Sequence, residues 1–335
     1  MQSSRTGKKR GIYSNGCFKS SYCLMFDHFS ELVRSGIPCF FYTDFKGEKL
    51  HSYPLDDLIQ HDIEFSFNST PQTTNMPHKP SFFPISYKQY QKKFERIQEN
   101  ICSGNTYLLN LTQQTPIESH YTLKEIYTMA DAPYKLRVQD QFVCFSPEPF
   151  IVIEKNTIHT YPMKGTIDAS LTNAIDTILN DPKELAEHTM IVDLLRNDLG
   201  IIAKEIRVEK FRYITTIDTG SKKLHQVSSH ISGTLDNTWR KNTGELLRAL
   251  LPAGSISGTP KKRTVEIIEE IENYERGYFT GVFGYYDGEN LYSAVAIRFI
   301  ENIDGHLVYK SGGGITCESD CEKEYQEMID KIYIP

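Results

Sequence analysis

A chain of 335 residues, 39% hydrophobic and 24% charged, is long enough for one large globular body or two ordinary domains with a substantial core. Its formal net charge of -6 offers no broad basic field for nucleic acid, and no apolar run of about 18 residues marks a membrane span or signal peptide, so a cytoplasmic protein is expected. Seven cysteines, odd in number, scattered and without a CxxC pair, fit reduced thiols better than a disulfide framework or a zinc site.

In chain order, the first ten residues carry Arg5, Lys8, Lys9 and Arg10 and read as a disordered basic tail. Residues 39–43 suggest a strand. Residues 66–83, rich in Thr, Asn, Pro and Ser, read as a loop, which divides the chain into a short region 1–83 contributing to the same fold and a main region 84–335. Residues 86–103 read as a helix closed by Gly104, and 107–112 as a buried strand.

Asp181, Pro182 and Glu184 form a helix start: an N-cap carboxylate, a proline at the first position and a capping-box glutamate, predicting a helix to about residue 197. A second start at Thr259 and Pro260, with Gly277 as its stop, predicts a helix of about 16 residues. From Tyr278 the period becomes strand-like, with turn signals at Asp287–Gly288, Asp304–Gly305 and three successive glycines, which predicts an antiparallel meander. A last helix is expected from Ser319, with Glu322 three residues on as its capping partner.

Several residues could carry chemistry, and each has a plainer reading beside it. Lys164, in Pro162-Met163-Lys164-Gly165-Thr166, reads alone as a solvated charge in a turn. Glu148 lies between Pro147 and Pro149, sixteen residues earlier; on an adjacent strand it could share a cavity with Lys164 and, with a raised pKa, protonate a departing hydroxyl. Glu324 and Glu327 stand three apart on one face of the last helix, solvated unless a cation compensates them, and Glu187 could add a third carboxylate for a hard ion such as Mg²⁺. The run Ser311-Gly312-Gly313-Gly314-Ile315 is either a flexible turn or exposed backbone amides suited to a carboxylate.

Eight motifs in order then resemble one family. They are SPEPF from Ser146, PMKGT from Pro162, EHTMIVDLLRNDLG from Glu187, PAGSISGTPKKR from Pro252, GVFGYY from Gly281, AIR from Ala296, SGGGI from Ser311 and EYQE from Glu324. Across residues 84–333 the chain resembles the chorismate-utilising enzymes, and among them the aminodeoxychorismate synthase component I type. The resemblance implies an α+β fold of the anthranilate synthase type, with two large antiparallel sheets flanked by helices around a chorismate cleft. It implies Mg²⁺ between Glu187 and the pair Glu324 and Glu327, carboxylate binding by Arg298 and the amides near Gly312, Gly313 and Gly314, and cleft-lining roles for Tyr285, Thr259 and His225.

Relatives that make anthranilate, isochorismate or salicylate resemble PIAGT or PLAGT where this chain has PMKGT, so the resemblance implies that Lys164 selects the reaction. Its neutral amine, with a lowered pKa, would add at C2 of chorismate while Glu148 assists loss of the C4 hydroxyl; ammonia would then add at C4 and expel the lysine. Leu108 stands where isochorismate synthases resemble one another in carrying a water-activating lysine, and an alkyl side chain is no base. No GxCLGxQ-type glutaminase motif occurs in the sequence, so ammonia is expected from a separate glutamine amidotransferase subunit. Two other readings remain: anthranilate synthase component I, and an inactive chorismate-binding partner subunit.

Overall fold

The computed structural model describes residues 21–68, 76–218 and 223–335. The basic stretch from Arg5 to Arg10 and the middle of the 66–83 loop lie outside the described residues. The fold is α+β, with two antiparallel sheets flanked by helices.

The first sheet takes Leu50–Pro54, Cys39–Thr43, Val282–Tyr286, Leu291–Val295, Pro149–Glu154 and Thr157–Thr160 in spatial order, then the long strand Lys223–Thr234, which also pairs with Met163–Asp168 and Lys204–Asp218. The second runs from Ile63–Phe67 through Tyr134–Val138, Phe142–Ser146, Phe299–Ile303, His306–Ile315 and Leu108–Glu118 to the short Gly258–Thr259. Cys39–Thr43 is buried at all five positions, as its unbroken apolar and aromatic run requires of a strand covered on both faces. Aromatic side chains from both sheets, among them Phe40, Phe142, Phe283 and Phe299, share one buried cluster.

Two neighbouring strands pass together from one sheet to the other. In the second sheet Phe142–Ser146 pairs with Phe299–Ile303, Phe299 opposite Cys144; in the first, the same two segments pair again as Pro149–Glu154 and Leu291–Val295, Leu291 opposite Ile153. Pro147 and Pro149 have no N–H for a ladder bond, and Arg298 takes a left-handed φ of 53°, so both segments break at this crossing. The breaks brace each other: Val295 N–H donates to the Glu148 carbonyl at 3.1 Å, and Phe145 N–H to that of Ile297 at 3.2 Å. The expected single meander after Tyr278 is therefore corrected to two hairpins in two sheets, joined through residues 296–298.

The helices start near their expected places; the one expected over 86–103 also ends as expected at Gly104, while those after Asp181 and Pro260 end elsewhere. Tyr87–Cys102 carries the capping box of Ser86 and Gln89. The long helix Pro182–Ile202 runs a turn beyond residue 197; Asp181 accepts from Glu184 N–H at 3.0 Å, but the Glu184 carboxylate turns away from the cap toward Gly165. Lys261–Glu272 stops after 12 residues at Asn273, whose left-handed φ of 61° ends it before Gly277. The tail helix Cys321–Asp330 is capped by Asp320, which accepts from Lys323 N–H at 3.0 Å, and not by Ser319. Ser319 donates its hydroxyl to Glu324 Oε1 at 2.7 Å instead.

Ile191, Val192 and Leu195 of the long helix and Met328 of the tail helix join Leu108, Leu109 and Ile315 in one buried core. Each such side chain contributes about 1.5–3 kcal/mol relative to exposure. This apolar anchoring fixes the two acid-bearing helices against the sheets.

Candidate active site

A cavity opens where the paired strands change sheet, and Glu148, Lys164, Arg298, Lys310, Gly312 and Gly314 are among its lining residues. Glu148 and Arg298 reach it because they sit in the two breaks. Lys164 reaches it by a different route. Pro149–Glu154 and Thr157–Thr160 form a hairpin with Val152 opposite His159. Met163–Asp168 itself pairs with Lys223–Thr234 and not with Pro149–Glu154, so Glu148 and Lys164 share the cavity without lying on paired strands.

Lys164 lies in a bulge of Met163–Asp168, where neither it nor Gly165 has a cross-strand partner in the register with Lys223–Thr234. Its Nζ stands 2.7 Å from Glu187 Oε2. Burial pushes the lysine pKa down, but the charge of Glu187 and its hydrogen bond outweigh burial, so the pKa is raised. The expectation of a lowered pKa is corrected for this structure: here Lys164 is an ammonium paired with a carboxylate.

The other acids gather around the same charge. Lys183 Nζ stands 3.7 Å from Glu187 Oε1 and 3.7 Å from Glu324 Oε1, and Lys331 Nζ contacts Glu327 Oε1 at 2.6 Å. Burial raises the pKa of Glu324 despite the Ser319 hydroxyl, whereas Lys331 holds that of Glu327 below its usual value against burial. Gly313 lies beside this cluster, where a Cβ would make ordinary contact 3.5 Å from Glu327 Oε1 and 3.7 Å from Glu324 Oε2, and unlike Gly312 and Gly314 it is not among the residues lining the cavity. Glu184, its pKa raised by burial, has a buried Oε2 with no hydrogen-bond partner and would lie 2.8 Å from a Cβ on Gly165.

These carboxylates are hard oxygen donors of the type Mg²⁺ takes, and the orphaned Glu184 oxygen is a further acceptor among them. Among the described residues no three acids are gathered within reach of one ion, because lysine ammoniums hold them. The donor chemistry is of the type a divalent cation takes, while in this structure lysine ammoniums hold those oxygens.

On the opposite wall, burial pushes the Glu148 carboxyl above the usual range, against a hydrogen bond from Ser255 and the charges of Lys331 and Arg298. Arg298 has a buried Nε without a partner, and its guanidinium lies 5.3 Å from the Tyr333 ring centre. An unsatisfied guanidinium donor beside a cavity suits an anionic ligand. Leu108 lies on this cavity too, and a Cβ on Gly314 would meet its Cδ1 at 3.2 Å and Lys164 Nζ at 3.7 Å.

Three expected cleft residues do not line this cavity. Tyr285 packs among Phe65, Phe67 and Tyr292, on the aromatic face of the first sheet. Thr259 pairs with Leu108, and its carbonyl accepts from Tyr107 N–H at 2.9 Å. His225 lies opposite Ile167 on the long strand, its Nδ1 3.0 Å from Thr216 Oγ1.

Residues 40–335 match the family model of the chorismate binding enzymes. The chain belongs to that family. An uncharacterized PabA-like protein of Pasteurella multocida is 48% identical over 304 residues, 89% of this chain and 94% of that protein. Aminodeoxychorismate synthase component 1 of Escherichia coli K12 is 33% identical over 263 residues, 74% of this chain but 57% of that protein, so the chain spans little more than half the length of that relative. The crystal structure of anthranilate synthase component I from Streptococcus pneumoniae superposes with a TM-score of 0.65 at 26% identity, over 76% of this chain and 59% of that one.

Sequence reasoning missed Lys331, Glu184, Lys183 and Ser255. Three of them carried a signal, Lys183 by preceding Glu187 by four residues on the same helix. Lys331 follows Glu327 by four residues on one helix face, and Glu184 precedes Glu187 by three, repeating the spacing of Glu324 and Glu327.

Proposed function

We propose that this chain is an aminodeoxychorismate synthase component I, converting chorismate and ammonia into 4-amino-4-deoxychorismate. The observation that carries this is an amine and a raised-pKa carboxyl, Lys164 and Glu148, lining one cavity with an unsatisfied arginine. Arg298 and the backbone around Gly312 and Gly314 bind the carboxylates of chorismate and orient the ring. Lys164, once deprotonated, adds through Nζ at C2; both ring double bonds shift along the conjugated diene, and the C4 hydroxyl leaves as water with the proton of Glu148. Ammonia then adds at C4, the double bonds return, and the lysine leaves from C2, taking back a proton.

Nothing in this sequence removes pyruvate. Leu108 beside the lysine offers no base to activate water for attack at C2, which disfavours hydroxylation. Glu187, Glu324 and Glu327, joined by Glu184, would hold Mg²⁺. That ion, when bound, supplies positive charge to a substrate carboxylate and neutralises the acids that keep Lys164 protonated. A separate glutamine amidotransferase subunit is the proposed source of ammonia, for which free ammonium can substitute.

The anthranilate synthase reading shares the cleft, but the amine of Lys164 counts against it. The test is Lys164→Ala with chorismate, ammonium and Mg²⁺. Amination should be lost while Mg²⁺-dependent chorismate binding, followed by calorimetry, stays close to that of the unchanged chain. Full amination by the variant removes the nucleophile.

A further inference from the structure

We infer that His188 is a positioning residue for Lys164, holding the carbonyl of the lysine while the adjacent Glu187 holds its amine. This rests on Lys164 being the nucleophile. The bulge leaves Lys164 without a partner in the register with Lys223–Thr234, and a contact from outside the strand pair reaches its carbonyl. His188, fully buried on the long helix, provides one: Nδ1 lies 3.4 Å from the Lys164 carbonyl oxygen and Nε2 lies 2.7 Å from Ser229 Oγ.

The network assigns the tautomer. A lone pair on Nδ1 would face the lone pairs of the Lys164 carbonyl, so the proton belongs on Nδ1 and the Ser229 hydroxyl donates to Nε2. Ser229 is itself fixed: its Oγ accepts from Arg212 N–H at 3.0 Å, and its N–H donates to the Pro162 carbonyl at 3.0 Å, two residues before the lysine. The edge of the Phe211 ring system closes on the imidazole, with centroids 5.8 Å apart. Glu187 and His188, consecutive on a helix anchored by Ile191 and Leu195, thereby set both ends of one side chain. A nucleophile must be held to within a fraction of an ångström, and a loose backbone would spread its positions.

The experiment measures Lys164 modification by 2,4,6-trinitrobenzenesulfonate, followed by peptide mass spectrometry on the full chain without substrate. His188→Leu should raise the labelling rate about three- to tenfold, the range one lost hydrogen bond allows. His188→Asn, whose amide can replace Nδ1–H, should bring labelling back to within about twofold of the unchanged chain. Ser229→Ala, which leaves the imidazole free to turn, should raise labelling in the same direction as His188→Leu and serves if the leucine variant does not fold. In turnover, His188→Leu should lower kcat about tenfold or more with little change in KM for chorismate, a split that general destabilisation would not produce. Unchanged labelling in the leucine or alanine variant, or equal labelling in the leucine and asparagine variants, overturns the inference. A chain that labels as expected but does not aminate chorismate contradicts the proposed function instead, since labelling needs no substrate.

Discussion

The two walls of the cavity are built by different means. Glu148 and Arg298 stand on a wall set by backbone: paired strands break together on passing between sheets, and hydrogen bonds between the breaks brace both segments. Lys164 and Glu187 stand on a wall set by charge, in one cluster with Glu324 and Glu327, where each lysine serves one or two carboxylates. The first wall suits an acid that must be held protonated and in place until it gives up its proton. The second wall places lysine ammoniums against buried carboxylates, so its charge state depends on which ion pairs form.

The variants below should separate these walls. Lys164→Ala removes the covalent step and should reduce amination on the order of 10³-fold or more. Glu148→Gln keeps the shape of the backbone wall but cannot donate a proton; amination should fall about 10²- to 10⁴-fold with chorismate binding retained. The pH profile gives the sign. Because burial raises the pKa of Glu148, the unchanged chain keeps its acid to higher pH than a free glutamate would, and the rate should fall as pH rises through that value. The residual activity of Glu148→Gln should lack that falling limb, and a limb that persists assigns the acid to another group.

Arg298→Gln should act on binding more than on chemistry, raising KM for chorismate by roughly 30-fold or more as a buried charge-assisted bond is lost. An unchanged KM would place the substrate carboxylate elsewhere. Glu324→Gln should have the mildest effect, weakening the Mg²⁺ requirement roughly tenfold, because three other carboxylates remain in the charged cluster. An unchanged Mg²⁺ titration would remove Glu324 from the ion.

Much of the charged wall was legible in the sequence, because its logic is local. Glu324 and Glu327 share a face by helix geometry alone, and the Asp181-Pro182 start sets the phase of Glu187. Its charge state was not legible: Lys164 and Glu187 are 23 residues apart, and only tertiary structure brings them to 2.7 Å and raises the lysine pKa. The backbone wall was the reverse. Glu148 was singled out by its flanking prolines, but AIR and its neighbours read as ordinary strand, and no local rule says that a chain changes sheets at Arg298. Tyr285 shows the same limit, since period-two alternation cannot tell an aromatic facing the cleft from one facing a ring cluster. Ser319 and Glu184 read as caps, yet Ser319 binds Glu324 and Glu184 turns toward Gly165, because the same short side chains can serve a helix end or a site.

The central claim is that an amine at position 164 directs chorismate toward amination without elimination. It is tested most directly by incubating the unchanged chain with chorismate, ammonium and Mg²⁺, identifying the product by mass and assaying pyruvate in the same tube. The account predicts 4-amino-4-deoxychorismate with no pyruvate released. Anthranilate formed with one pyruvate per chorismate consumed would contradict it.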